Sequence, residues 1–497
     1  MKILFVASEA APFMKVGGLG EVMYSLPRAL NRLGHDARVM IPLYATINLE
    51  KFPSSMLLES LPVPMGMTDP VMCNIKIRES QEHNGESSVT TYFLENMEYY
   101  EKRANVYGYD DDAARWALLS RGVLEFVKRS DAWRPNIIVA ADWQGGLIPN
   151  YLQSVYKQDP ILSKIASVFS IHNLHYQGTF DHNFVTEMDY DDGQSEIPAI
   201  TDSRLLKINF MRRGIRYADV VNTVSPTYAK EITTPEYGEK LEELLAERRS
   251  RLFGILNGID YTSNNPENDS RITHSYGPRH LKERKKNKFV LRQKFNLPDG
   301  PGNDAPIIGI VSRLSEQKGL DLVMEVLEPL LKTTDFQFVV VGTGDSKYLG
   351  YFQDMDKRYD NVAAHLSYDD VLPHLIYAGA DLVLIPSRYE PCGLTQMEAM
   401  RYGAIPIVRK TGGLADSVEN FSPRNDTGNG FVFESYDSYA LFGAIIRAIE
   451  TYQYDKVWAG LQKRAMDADF SWDRSAKEYV QLFKQAIDFH SRSEAER

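Results

Sequence analysis

Short, continuously apolar runs recur along the chain, separated by stretches with helical spacing. In the first half they are ILFVA (3–7), ARVMIP (37–42), NIIVAA (136–141), ASVFSIH (166–172) and DVVNTVS (219–225). In the second half they are IIGIVS (307–312), FQFVVVG (336–342), DLVLIP (381–386) and AIPIV (404–408). A strand with one face in water alternates apolar and polar residues. A run that is apolar throughout belongs to a strand covered on both faces, as in a parallel sheet flanked by helices. Helical periodicity is clear at Met23, Leu26, Leu30 and Leu33, with Gly34 as the stop. Pro27 falls inside that pattern and is expected to kink the helix or shift its start. A second clear pattern joins Trp472, Ala476, Tyr479, Phe483 and Ile487, an apolar stripe that has to cover another element.

The two series of strands predict an α/β protein built from two doubly wound, Rossmann-like domains facing each other across a cleft. Between them, residues 264–305 carry NNPENDS, the basic run KERKKNK (282–288) and LPDGPGNDAP. This composition marks a linker region with a short helix over 281–295, the basic run forming a solvated face. The expected division is 1–265, a linker over 266–305, a second domain over 306–470 and a terminal helix over 471–497 packing back on the first domain. Open α/β sheets bind ligands beyond the carboxyl ends of their strands, so candidate chemistry is sought there.

A length of 497 residues exceeds what one core holds, in keeping with two domains. The net charge of -11 argues against nucleic acid or an acidic membrane as partner, and leaves any anionic ligand to a local basic site. Two cysteines, Cys73 and Cys392, form no disulfide framework and fit a reducing compartment, so a cytoplasmic location is expected. The opening MKILFVASEAAP resembles a short signal peptide, but Ser8 and Glu9 interrupt its apolar stretch and it reads as a buried strand. No run approaches the roughly 18 apolar residues of a transmembrane helix.

Three loops past strand ends carry candidate chemistry. KVGGLGE (15–21) lies before a helix, where glycines let backbone N–H groups approach a phosphate. Its glycines lie some ten residues past the strand, which fits a dinucleotide fingerprint poorly and leaves either an anion site or a tight turn. SRLSEQKGLD (312–321) places Arg313 and Lys318 past the strand IIGIV, two cations able to neutralise a diphosphate. SRYEPCGLTQMEAM (387–400) sets Glu390 on a loop and Glu398 on the next helix, with Gly393, Leu394 and Thr395 offering amides at the helix start. The two carboxylates suit sugar hydroxyls and a ribose diol; alternatively Glu390 caps the helix and Glu398 is a surface residue. KTGGLADSV (410–418) is a further glycine turn, functional or structural. His172 and the pair Asp142 and Trp143 also sit at strand ends, where a carboxylate and an aromatic face suit a sugar. Metal signals are thin. YDDD (109–112) and DYDD (189–192) have the spacing common in acidic loops, and His172 and His175 lack a third ligand, so no metal is expected.

These motifs, with ADWQGGLIPNYL, SIHNLHYQG, NTVSPTYAKEI and GILNGID, together resemble the bacterial glycogen synthase and plant starch synthase family, retaining glucosyltransferases of GT-B fold. The resemblance covers nearly the whole chain in order and spacing. It implies transfer of glucose from a nucleotide sugar, ADP-glucose with UDP-glucose as the alternative, to the non-reducing end of an α-1,4-glucan, with no metal or cofactor, no nucleic acid and no membrane involved. It also implies that Lys15, Arg313 and Lys318 bind the donor diphosphate with amides near Leu394 and Thr395, while Gly18 lets the first loop close on it. Tyr368 matches the aromatic that stacks on the base. Glu390 would hold the glucose, with Asp142, His172 and Asn257 from the first domain, and Glu398 the ribose. The chain departs from the family at ADWQ (141–144), where HDWH is usual, at Asn264, near the place of a frequent tryptophan, and at Glu21, where aspartate is frequent. A nicotinamide-dependent oxidoreductase and a non-catalytic glucan-binding protein are the alternatives from other classes.

Overall fold

The computed structural model describes residues 1–66, 69–83, 86–178, 191–299 and 304–495. By its internal contacts the chain divides into two compact units. Met1–Val224, Ala229–Ile255 and Trp472–Arg497 form the first, and Ser225–Tyr228 with Leu256–Ser471 the second.

The first unit holds a nine-stranded sheet: β1 Lys2–Val6, β2 Asp36–Pro42, β3 Ser55–Val63, β4 Val71–Arg78, β5 Thr91–Glu95, β6 Ile137–Ala141, β7 Ala166–Ile171, β8 Val220–Thr223 and β9 Leu252–Gly254. Their spatial order is β9-β8-β7-β6-β1-β2-β5-β4-β3. The five apolar runs of the sequence are the central parallel strands, and Ile3, Leu4, Phe5 and Val6 have no exposed surface. The sheet is not wholly parallel, because β4 runs antiparallel to β3 and β5. The outermost strand β3 leaves Met56 and Leu57 exposed, so it lacks the continuous apolar run that marks the others.

Helix α1 (Gly18–Arg32) runs through Pro27, which is buried inside it and does not move its start. The missing proline N–H costs one backbone bond, which the apolar face buried by Met23, Leu26 and Leu30 outweighs. The C-terminal helix Trp472–Ala495 belongs to this unit. Its Phe483 ring meets Phe5 edge-on at 6.3 Å, Tyr479 receives a hydrogen bond from Asn222, and His490 lies 3.1 Å from the Asp219 carboxylate.

The second unit holds a six-stranded sheet, parallel throughout: β10 Ile307–Val311, β11 Gln337–Val341, β12 Val362–His365, β13 Leu382–Ile385, β14 Ile405–Arg409 and β15 Phe431–Phe433. Their order is β12-β11-β10-β13-β14-β15. The segment read as a linker carries helix α2 (Arg284–Lys294) within this unit, residues 300–303 lying outside the described residues.

Its basic run is not simply a solvated face. Lys282, Lys285 and Lys286 are exposed, but Arg284 and Lys288, one turn apart, are buried. Arg284 donates to the carbonyls of Tyr377, Ala380 and Tyr402, and the Lys288 ammonium meets Asp381 at 2.7 Å and the Tyr452 hydroxyl at 2.8 Å. Charge runs on a helix alternate faces every few residues, and here one face answers carbonyls and a carboxylate at the foot of β13.

Candidate functional site

Two loops at the carboxyl ends of neighbouring strands build the site in the second unit. After β10 the chain passes Ser312 and Arg313, makes a single turn at Glu316–Lys318 and enters helix α3 (Leu320–Thr333) through Gly319. After β13 it passes Pro386, Ser387 and Glu390 before helix α5 (Thr395–Arg401), which follows helix α4 (Leu372–Gly379) in the chain. The loops lock together: Gly319 has φ +68°, and a Cβ there would lie 2.0 Å from the Pro386 carbonyl oxygen. The Arg388 N–H donates to the Gln317 carbonyl at 2.9 Å.

This contact brings Lys318 to Glu390, ammonium to carboxylate, at 2.6 Å. Ser387 donates a second hydrogen bond to the same carboxylate oxygen at 2.9 Å. Lys318, Glu390, Leu394 and Thr395 all line one cavity of about 60 Å³. That volume suits a few atoms of a ligand, not a whole nucleotide. Glu390 is 7 % exposed and caps no helix, since α5 begins at Thr395, after Leu394, without a side-chain cap. The capping alternative is thereby set aside. The N–H groups of Thr395 and Gln396, the first two of α5, have no carbonyl of their own helix to bond, whereas those of Met397 and Glu398 bond the Leu394 carbonyl.

The turn is braced from behind. In KTGGLADSV, Gly412 (φ +43°) opens helix α6 (Gly412–Ser417), and a Cβ there would lie 1.9 Å from the Glu390 carbonyl oxygen. Ser225 donates to the Pro391 carbonyl at 2.7 Å, and Thr227 donates from both its backbone and hydroxyl to Asp416, each at 2.7 Å. Sequence reasoning used NTVSPTYAKEI only as a point of resemblance and missed this bracing role.

The remaining candidates in this unit are more scattered. Arg313 is exposed and has no ion pair among the described residues. Tyr368, on the loop after β12, is 84 % exposed, an aromatic face open to a planar group. Glu398 lies on α5, where the buried Tyr377 hydroxyl bonds to its carboxylate and to Thr395; burial holds that hydroxyl's pKa well above the usual range, so it stays a donor. Asn257, expected with the first domain, belongs by its contacts to the second unit, and its N–H faces the Cys392 sulfur. Burial pushes that thiol up to about 12, which makes it inert at neutral pH.

In the first unit, Asp142 and His172 sit at the ends of β6 and β7. Asp142 has φ +50°, an unusual conformation for a non-glycine residue. Its carboxylate accepts from the His172 N–H at 2.7 Å and the Asn173 N–H at 3.4 Å. Burial pushes its pKa up to about 7, against those two N–H groups, with the charge of Glu9 adding to the rise. Burial also pushes His172 down to about 4, and its Nε2 lies 3.2 Å from the Ser170 hydroxyl. At neutral pH the imidazole is uncharged. Perturbed groups gathered at strand ends are a mark of functional sites. Trp143 meets Trp116 edge-on at 6.0 Å, and Gln144, at the ADWQ departure, is buried and packs inward.

The glycine loop differs from expectation. Glu9 is 3 % exposed, and its carboxylate accepts from the backbone N–H of Val16 and of Gly17, the latter at 3.1 Å. Burial raises its pKa despite those bonds and Lys15 nearby. The amides of Val16, Gly17 and Gly20 are thus turned onto an internal carboxylate, while Gly18 opens helix α1. The Lys15 ammonium is more than half exposed and lies 3.1 Å from Glu21. A Cβ at Gly18 would meet open space. The signal for Glu9 was a carboxylate directly past a buried strand, which the sequence reading took only as an interruption of the apolar run.

Among the described residues no group of three or more His, Cys, Asp or Glu is placed to hold a metal ion, and no helix is long and apolar enough to cross a membrane. Asp189 and Tyr190 of DYDD lie outside the described residues.

Two α/β units, with a cation and a carboxylate meeting at the strand ends of the second, fit a glycosyltransferase of GT-B fold. Residues 2–247 match the starch synthase catalytic domain and residues 292–461 the group 1 glycosyl transferases. Glycogen synthase from Desulforudis audaxviator is 41% identical over 499 residues, covering 98% of this chain and 97% of that one. Glycogen synthase from Thermotoga maritima is 43% identical over 493 residues, covering 98% and 99%. The catalytic domain of starch synthase IV from Arabidopsis thaliana, bound to ADP and acarbose, superposes with a TM-score of 0.82 at 31% identity, covering 98% of this chain and 99% of that one. The chain belongs to the glycogen synthase and starch synthase family of glycosyltransferases.

Proposed function

We propose that this enzyme transfers glucose from ADP-glucose to the non-reducing end of an α-1,4-glucan with retention of configuration. The observation that carries the reading is the Lys318–Glu390 pair inside the cavity at the ends of β10 and β13. Breaking the bond between sugar and diphosphate puts negative charge on the leaving group and positive charge on the ring. Lys318 and Arg313, with the amides near Leu394 and Thr395, answer the first charge, and the Glu390 carboxylate the second. Lys15 adds a further cation for the diphosphate, Gly18 leaves that loop room to close, and Tyr368 stacks on the base. Asp142, His172 and Asn257 contact the glucose, and Glu398, steadied by Tyr377, holds the ribose. His172, uncharged at neutral pH, serves as a hydrogen-bonding group for a sugar hydroxyl. The departing phosphate takes the acceptor's proton on the same face. ADP in the starch synthase IV complex supports adenine over uracil in the donor.

The test is incubation with glycogen and labelled ADP-glucose or UDP-glucose. Lengthened chains from ADP-glucose, at a rate well above that from UDP-glucose, are expected. Folded protein that binds glycogen but moves label from neither donor would leave a glucan-binding protein as the better reading.

A further inference from the structure

The cavity holds two buried polar atoms that no protein group satisfies. The Ser312 hydroxyl and the Gln396 side-chain oxygen are each enclosed and without a hydrogen-bond partner among the described residues, and both residues line the space that Lys318 and Glu390 share. Buried polar atoms in native proteins are almost always bonded, so the partners of these two come from whatever enters the cavity. The amide of Gln396 cannot simply turn round. Its nitrogen already donates toward the carbonyls of Cys392 and Gly393, at 3.2 and 2.8 Å, and a flip would set oxygen against oxygen.

Ser312 differs from Gln396 in being held by its backbone alone. Its N–H donates to the Val341 carbonyl at 3.2 Å, and its own carbonyl lies where a Cβ on Gly342 would fall, 1.9 Å away. The backbone of Ser312 is therefore fixed in place at the end of β10, while its hydroxyl has no structural bond to lose. It carries both a donor and acceptor capacity, whereas Lys318, lining the same cavity, is already engaged with Glu390. A neutral donor next to a cation suits a phosphate oxygen.

Resting on the donor site proposed above, we infer that the Ser312 hydroxyl is a further substrate-binding group, donating a hydrogen bond to the phosphate that carries the sugar. The distal phosphate is assigned because the cavity contains Glu390, the carboxylate given to the transferred sugar, while the base-stacking Tyr368 is not among its lining. A hydrogen bond to a charged oxygen contributes about a tenfold change in affinity.

The test measures binding of ADP and AMP by calorimetry to the full chain carrying Ser312→Ala or Ser312→Thr. Ser312→Ala is expected to weaken ADP about tenfold, to leave AMP unchanged, and to keep the melting temperature of the ligand-free protein at the wild-type value. Ser312→Thr, which keeps the hydroxyl, is expected to restore ADP binding. Wild-type affinity for ADP in the alanine variant, or an equal loss for AMP, overturns the inference while leaving the donor site in place. Failure of the wild-type protein to bind ADP at all, with UDP binding in its place, shifts the donor reading and requires the same pair of tests with UDP and UMP. Failure to bind either diphosphate overturns both.

Discussion

The Lys318–Glu390 pair makes a prediction that separates stability from chemistry. The two side chains are 19% and 9% exposed, so neither charge is well solvated, and they meet at 2.6 Å. Removing one partner of a buried pair costs about 3–5 kcal/mol, because the other charge stays behind unpaired. Here the residual exposure and the Ser387 hydroxyl, 2.9 Å from the carboxylate, offset part of that cost for Lys318→Met. The expected loss is about 2–3 kcal/mol. Glu390→Gln strands the ammonium and should cost a similar amount. The double variant removes both charges and should recover to within about 1 kcal/mol of wild type, a coupling of about 2 kcal/mol or more in the cycle. Hydrogen exchange of the 381–401 segment in denaturant reads the second unit apart from the first. Glucosyl transfer in the same proteins should show the opposite pattern. Each single variant should lose about 10²-fold or more, and the double should recover nothing, since charge stabilisation of the departing group needs the charges themselves. Additive stability losses in the double variant would show that the pair is only adjacent, not coupled.

Three further outcomes follow from the geometry. Asp142, raised to about 7 in the folded protein, favours folding in its protonated form; that contribution is complete below its ordinary value near 3.8 and disappears as pH rises through 7. Asp142→Asn should therefore match wild type near pH 4 and exceed it by about 2–4 kcal/mol at pH 8, as read by melting curves across that range; a constant difference would contradict the assigned cause. Gly319→Ala should cost about 3 kcal/mol, since it adds a side chain both at φ +68° and against the Pro386 carbonyl, and thermal unfolding of the variant checks it. Tyr368→Ala should raise KM for the donor about tenfold with little change in kcat, because an exposed ring that stacks on a base contributes binding without touching the reacting bond; unchanged KM would remove Tyr368 from the site.

Much of this architecture could be read directly, and the misses have physical causes. The central parallel strands declared themselves by continuous apolar runs, because covering both faces leaves no room for polar alternation, whereas the parallel strands β5, β9, β12 and β15 were not read. β3 and β4 escaped since an outer antiparallel strand with Met56 and Leu57 in solvent carries no such run. Arg284 and Lys288 were read as solvated because a charge run shows composition but not which helix face meets Asp381 and the strand-end carbonyls. At the site, loop position identified Lys318 and Glu390, yet nothing local showed that they would bond each other. Asn257 was assigned by its place in the chain, whereas contacts put it with the second unit. The glycine loop misled for a different reason. Its amides look available in sequence, and only the fold brings Glu9 back beneath those of Val16 and Gly17.

The central proposal is that fixed cations and helix-end amides, with no divalent ion, stabilise the departing diphosphate. The most direct measurement is the rate of labelled glucose transfer from ADP-glucose to glycogen in protein stripped and assayed with EDTA, beside the same protein supplied with magnesium or manganese. The account predicts equal rates in all three, and a fall of about 10²- to 10³-fold for Lys318→Ala under each condition. Turnover that vanishes in the chelator and returns with a divalent ion would contradict it.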